Sequence, residues 1–310
     1  MTGDLGRAEA ILRERCGDRV RMGFPMAPLT TLRIGGPAAL YLEPGSTDEL
    51  TAAAEAVREA RVPFVVVGKG SNILVSDKGF DGLVLRLGRG FRWASCEDAR
   101  LSAGGSMPLP ALAGVALAHG LTGIEWSAAI PASFGGAVRM NAGAHGGELA
   151  TVLETIELFD VALGEAVTMK AEEAGFAYRS SQLPPGSVVT DARLRLSPGE
   201  PEAIRARMDE VREWRREHQP LAEPNCGSVF KNPLGDFAAR LVDDAGLKGM
   251  AVGGATVSRK HANFIVTSEG ALAADVVDLI RVVQERVAAR FGVHLEPEVH
   301  LIGEFDRVPD

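Results

Sequence analysis

Three stretches of the chain put reactive side chains close together. Tyr178-Arg179-Ser180-Ser181 sets an arginine beside an aromatic residue, although an isolated arginine is usually a surface residue. Asn225-Cys226-Gly227-Ser228-Val229-Phe230-Lys231-Asn232-Pro233 gathers Ser228, Lys231 and Asn232 around an apolar pair. No Asp–His partner accompanies Ser228, which argues against a hydrolase-type nucleophile. If Ser228 acts, it acts as a proton donor; the alternative is a turn serine bonded to its own backbone. In Leu295-Glu296-Pro297-Glu298-Val299-His300-Leu301, strand alternation sets Glu296, Glu298 and His300 on one face and Val299 and Leu301 on the core face. Such a row ordinarily faces water and matters to chemistry only where the strand lines a cleft.

Two glycine clusters could serve those groups. Residues 65–75 read VVVGKGSNILV. A Walker loop or a dinucleotide fingerprint must open a helix, whereas here Ile73-Leu74-Val75 reads as a strand. The backbone N–H groups of Gly68, Lys69, Gly70, Ser71 and Asn72 could form an anion nest, with Ser71 and Asn72 adding side-chain donors. An ordinary hairpin turn is the alternative. The second cluster, Gly135-Gly136-Ala137-Val138-Arg139-Met140-Asn141-Ala142-Gly143, also carries an asparagine. One such cluster is more often a bulge or tight corner; a pair points to backbone wrapped around a diphosphate-bearing cofactor.

The elements that must position these groups are legible from periodicity. Helices are predicted over Arg7–Arg15, after Ser46 in a capping box with Glu49, over Pro108–Ala118, around Ile204–Trp214, over Phe237–Ala245 and over Leu272–Arg290. Strands are predicted at Phe64–Val67, Ile73–Val75, Leu83–Leu85, Glu154–Phe159, Ser187–Leu196, Asn263–Thr267 and Val293–Ile302, those of the first half paired mainly through tight turns. Ser197-Pro198-Gly199-Glu200-Pro201 is the best linker signal. The arginines around Trp214 read as a solvated helix surface.

Composition bounds the partners. The 310 residues are 46% hydrophobic and 24% charged, ordinary globular material for about two domains. A formal net charge of −8 argues against nucleic acid or an anionic membrane surface, so an anionic ligand must be held by local donors. Three scattered cysteines, six histidines without metal spacing and the absence of an export signal or a spanning apolar run predict a cytoplasmic protein without a metal.

The segments VVVGKGSNILVSD, IPASFGGAVRMNAGA, FAYRSS, NCGSVFKNP, GGATVSRKHANFIV and LEPEVHLIG, in this order, resemble the UDP-N-acetylenolpyruvoylglucosamine reductases. These are flavoenzymes of peptidoglycan precursor synthesis, also called UDP-N-acetylmuramate dehydrogenases. The resemblance implies an α+β fold: a vanillyl-alcohol-oxidase or PCMH-type FAD-binding domain in two subdomains, then a C-terminal α+β substrate-binding domain. Placed on this chain, the N-terminal helix takes residues 1–20 and the FAD-binding domain 21–197, with subdomains of about 21–80 and 81–197. The substrate domain takes 198–310. Arg179 and His218 lie 39 positions apart, which leaves little room for the tyrosine-bearing loop of the longer family type.

Arg179, Ser228 and Glu298 are the catalytic residues the resemblance implies. Non-covalent FAD would be held by Arg33, Gly68, Lys69, Gly70, Ser71, Asn72, Ile73, Leu74, Ile130, Pro131, Gly135, Gly136, Asn141 and Gly143. Substrate would be held by Tyr178, His218, Lys231, Asn232, His261 and Asn263. The chain departs from the family pattern at Ala129 and Ala132, where glycine is usual, and at His218 and His300, where other polar or basic residues are common.

The implied reaction reduces an enolpyruvyl ether to a lactyl ether, with NADPH as electron source and FAD as hydride carrier. Arg179 would stabilise the enediolate because its planar fork matches a carboxylate. Glu298 would share in that if protonated, with a raised pKa, or would orient Arg179 or a neighbour. Ser228 would give the proton to the α-carbon. NADPH and the sugar nucleotide would use one cleft in turn, in a monomer with neither nucleic acid nor membrane as partner.

Overall fold

The computed structural model describes residues 3–309. Seven α-helices occur among them: α1 (Leu5–Cys16), α2 (Thr47–Ala60), α3 (Leu109–Ala118), α4 (Phe134–Arg139), α5 (Pro201–His218), α6 (Ala238–Asp244) and α7 (Ala273–Phe291). The caps explain the boundaries. Asp4 accepts from Arg7 N at 2.9 Å at the start of α1. Ser46 Oγ accepts from Glu49 N at 3.4 Å at the start of α2. The expected capping box is only half formed, because Glu49 turns its Oε2 to Gly45 N and pairs with Arg19. Gly292 closes α7 in the left-handed conformation. Helix α4 is an addition to the prediction: the glycine cluster opens as a short helix before it turns.

The chain forms two compact units from interleaved segments. The first holds residues up to Gly23, Ala39–Lys69 and Gly82–Trp214; the second holds Phe24–Ala38, Gly70–Asp81 and Arg215 onward.

Two large hydrophobic cores lie in the first unit, beside a small cluster of Ala113, Ala128, Ile204 and Met208. One packs α1 and α2, through Leu12, Leu50 and Ala53, on Leu40, Leu42, Leu83 and Leu85. Each such leucine stabilises the fold by about 2 kcal/mol relative to exposure. The other lies under a five-stranded antiparallel sheet, ordered Glu165–Lys170, Leu153–Asp160, Ser187–Arg195, Arg100–Gly104, Ala94–Glu97. Leu101, Leu112, Phe134, Val138, Ile156 and Val189 belong to it. Ser197–Pro198, expected as linker, pairs with Leu121–Thr122, and Pro201 starts α5 at once.

In the second unit, Ala251–Val252, Ala255–Val257 and Ile265–Thr267 form an antiparallel sheet. Its core includes Leu32, Leu74, Val229, Phe230, Leu241, Ile280 and Leu295. Asp77 caps α7 from a distant loop, accepting from Ala273 N at 2.7 Å and Ala274 N at 3.0 Å.

Two expectations need correction. The strands flanking Gly68–Asn72 do not pair through a tight turn: Phe64–Val66 runs parallel to Leu83–Leu85, and Ile73–Val75 runs parallel to His300–Ile302. Three-residue apolar strands carry no local mark of their partner, and parallel partners come from far along the chain. The closing strand is also shorter than expected. Only His300–Ile302 is strand, because Pro297 has no N–H for a ladder and makes a single bridge with Phe230. The alternation still holds in part: Val299 is buried, while Glu296 and His300 are exposed.

Candidate active site

Within the first unit, a cleft of about 220 Å³ is lined by the turn at Val67, Gly68 and Lys69, by Gly105, Ser106 and Pro108, and by Ser133, Gly135, Gly136 and Arg139. The two predicted glycine clusters thus contribute to one cavity. Close packing explains Gly68: a Cβ there would stand 2.2 Å from Ser133 Oγ. The Ser133 segment is itself stitched down, with Phe134 N bonded to Met107 O and Gly135 N to Gly105 O, both at 2.8 Å. Ile130 and Pro131 lead into it, half-buried and exposed respectively. Lys69, Arg86, Arg89, Arg92 and Arg139 face this cavity against one carboxylate, Glu43. An acidic protein therefore keeps a locally cationic cleft.

Asn141 and Arg179 interlock elsewhere in the first unit. Asn141 is buried, at positive φ (41°), a conformation asparagine tolerates better than most residues. Its Oδ1 accepts from Ala150 N at 2.9 Å, while Nδ2 donates to Glu148 Oε2 at 3.2 Å and Ala177 O at 3.1 Å. Both amide hydrogens are committed, so what Asn141 offers a ligand is position. Ala177 and Ser180 close a two-residue turn around Tyr178 and Arg179 with bonds of 3.1 Å each way. Arg179 sits there at φ 56°, a backbone strained by about 1–2 kcal/mol. Its Nη2 donates to Gly143 O at 2.7 Å, and its Cζ lies 5.0 Å from the Tyr178 ring centroid.

In the second unit, main-chain pairing brings the serine segment and the last acidic stretch together. Glu298 N bonds Val229 O at 2.7 Å and Lys231 N bonds Glu296 O at 2.9 Å. Ser228 and Glu298 are both half-buried beside this pairing. Asparagines fasten it. Asn263, buried, accepts from Phe230 N at 2.9 Å and donates to Phe230 O at 2.8 Å. Asn72 Nδ2 donates to Glu298 O at 3.1 Å, and Asn225 Oδ1 accepts from Gly227 N at 3.0 Å. The Cys226 thiol is pushed up to about 12, first by burial and further by the Glu298 charge, so it stays inert beside Ser228.

The remaining predicted residues of this unit have visible local roles. Gly70 (φ 65°) admits no Cβ, since one would stand 1.9 Å from Leu29 O, and its own carbonyl accepts from Thr31 N at 3.0 Å. Arg33 is exposed at φ 57°, Ser71 is half-buried, and Ile73 and Leu74 lie in the strand beside His300 and Leu301. Lys231 pairs with Glu296 at 2.5 Å, and Asn232 Oδ1 accepts from Ala238 N at 3.1 Å at the start of α6. His261 is held below the ordinary histidine range by burial and then by the Lys248 and His218 charges. Its Nδ1 accepts from Asn263 N at 3.2 Å.

Known proteins decide the lineage. The family model described as UDP-N-acetylenolpyruvoylglucosamine reductase, C-terminal domain, matches residues 219–302, and an FAD binding domain model matches 38–170. The UDP-N-acetylenolpyruvoylglucosamine reductase of Heliobacterium modesticaldum is 46% identical over 282 residues, 90% of each chain. That of Anaeromyxobacter sp. strain Fw109-5 is 46% identical over 299 residues, 96% of this chain and 93% of its own. The chain belongs to the UDP-N-acetylenolpyruvoylglucosamine reductase family. The crystal structure of the enzyme from Thermus caldophilus, 38% identical, superposes with a TM-score of 0.78 over 91% of this chain and 98% of that one.

The family's FAD fits the cleft of the first unit. A dinucleotide needs main chain that comes close and positive charge for its diphosphate; Gly68 lacks a Cβ where one would collide, and cations line the wall. Sequence reasoning missed Ser106, Ser133, Arg86, Arg89, Arg92 and Arg139 here. The basic run Leu87-Gly88-Arg89-Gly90-Phe91-Arg92 was a usable signal. Arg139 stood inside the glycine cluster, yet a single arginine says nothing about burial.

Proposed function

We propose that this chain reduces the enolpyruvyl ether of UDP-N-acetylglucosamine enolpyruvate to UDP-N-acetylmuramate, with NADPH as reductant. The observation that carries the reading is the cationic, glycine-walled cleft in a chain 46% identical to a reductase of this name over 90% of its length. When bound, FAD supplies hydride transfer from its N5 to the β-carbon of the enolpyruvate. The side chains do the rest. Arg179 holds the substrate carboxylate, where negative charge grows as the β-carbon is reduced; a two-donor fork of fixed charge stabilises it more than water does. Its anchor to Gly143 O and the tight turn fix the direction of that fork. Ser228 delivers a proton to the α-carbon, a role supported by its backbone segment being clamped by Asn225 and Asn263. Glu298 assists in one of two ways, as a donor to the same charge when protonated or by orienting a neighbouring group. Tyr178, His218, Lys231, Asn232, His261 and Asn263 are assigned to the substrate side.

NADPH and the sugar nucleotide occupy one cleft in turn, and the enzyme works as a cytoplasmic monomer. Purified protein should be yellow, bleach with NADPH under argon, and regain colour on adding the enolpyruvyl substrate. Bleaching that only oxygen reverses would overturn the reading. Parallel double-reciprocal plots are expected for the shared cleft, and intersecting ones would contradict it.

A further inference from the structure

We propose that Arg139 is the half-buried counter-charge for a phosphate oxygen of the bound dinucleotide; this rests on the flavin reading of the same cleft. Arg139 lies in the last turn of α4 and lines the cavity together with Gly68, Lys69, Gly135 and Gly136. Its Nη2 donates to both Ser187 O at 2.7 Å and Ser187 Oγ at 2.8 Å. The hydroxyl hydrogen of Ser187 goes to Pro184 O at 2.8 Å, which leaves the Oγ lone pairs to receive the guanidinium. One nitrogen is thereby anchored, and the three donors on Nε and Nη1 are left for a ligand.

The arrangement has no counter-charge of its own. Among the described residues no carboxylate pairs with Arg139, and burial alone pushes its guanidinium below the ordinary arginine range. Elsewhere arginines find acids: Arg19 pairs with Glu49, Arg100 and Arg195 with Glu154, Arg240 with Asp236. A chain with 41 acidic and 33 basic residues has acids to offer, yet Glu43 is the one carboxylate among the described residues lining this cavity, and Arg139 is bonded to Ser187 instead. A charge half withdrawn from water and without an ion-pair partner is less favourable until an anion arrives. The ligand class that completes it is a phosphate-bearing dinucleotide, since the same wall brings glycine main chain at Gly68, Gly135 and Gly136 together with the cations Lys69, Arg86, Arg89 and Arg92. A fixed guanidinium fork reads phosphate oxygens with two donors at once.

The test uses apoprotein of the full chain, titrated by flavin fluorescence with FAD and with riboflavin, which has no phosphate, at low and high salt. Arg139→Gln should weaken FAD by roughly 10- to 100-fold, the worth of charged hydrogen bonds. It should leave riboflavin unchanged and flatten the salt dependence. Arg139→Lys, keeping charge but not the fork, should fall between. Ser187→Ala, which frees the anchor, should lose a few-fold for FAD alone. Unchanged FAD affinity in Arg139→Gln overturns the proposal, as does an equal loss of FAD and riboflavin, which would make Arg139 a packing element. If Arg139→Gln does not fold, full FAD affinity in both Arg139→Lys and Ser187→Ala overturns it. A wild-type chain that binds no flavin would instead sink the flavin reading.

Discussion

The cleft of the first unit keeps its donors available, whereas the serine segment of the second commits its amides to the fold. Around the cleft, Gly68 and Gly135 bring main chain close, and Arg139 is tied by one nitrogen only. Around Ser228, the side chains of Asn225 and Asn263 bond main chain, and Asn72 does the same for Glu298. The contrast follows from the tasks. Holding a large rigid anion calls for many weak donors over a surface, while placing one hydroxyl calls for a backbone that cannot shift.

Substitutions sharpen that contrast. The largest effect is expected from Ser228→Ala. Flavin reduction by NADPH should survive, while reoxidation by the enolpyruvyl substrate slows by roughly 100-fold or more in stopped-flow absorbance. Equal slowing of both half-reactions removes Ser228 from proton delivery.

Next comes the clamp. Asn263→Ala strips Phe230 N and O of their partners in a buried place, at about 1–3 kcal/mol for each group left unsatisfied. Urea unfolding of the apoprotein should show stability lower by about 2–4 kcal/mol. A change under about 0.5 kcal/mol, the ordinary surface value, would mean that the segment holds itself.

On the cleft side, Gly68→Ala presses a methyl group on Ser133 Oγ and should weaken FAD binding by roughly tenfold, as overpacking by one carbon does. Ser133→Ala in the same chain should restore most of the affinity, since the Ser133 Cβ lies 3.4 Å from the added carbon. Failure of the double variant to recover would place the damage elsewhere.

The smallest effect is a pH dependence. Burial first, then Lys248 and His218, lower the His261 pKa below its usual 6.5, so the folded state binds fewer protons there than the unfolded chain. This contribution is fully present above pH 6.5 and is lost as pH falls toward the folded pKa; protonation also removes the Nδ1 acceptor of Asn263 N. Melting temperatures should drop less between pH 8 and 5.5 in His261→Gln than in wild type. An identical drop would show that His261 is not linked to folding.

Helix positions were readable because apolar spacing and caps are local: Ser46, Gly120, Gly246 and Gly292 mark their ends within a residue or two. The glycine turns likewise pointed to a diphosphate-bearing cofactor, and the order of the motifs to this flavoenzyme family. The sequence could not show that Ile73–Val75 pairs with His300–Ile302, or that the compact units interleave, because such contacts join residues far apart in the chain. Nor could it show that Asn141 and Asn263 turn their amides inward or that Arg139 is half-buried and bonded to Ser187 rather than to an acid. Residue type sets what a side chain can donate or accept; only the surrounding packing decides whether those groups meet main chain, water or a ligand.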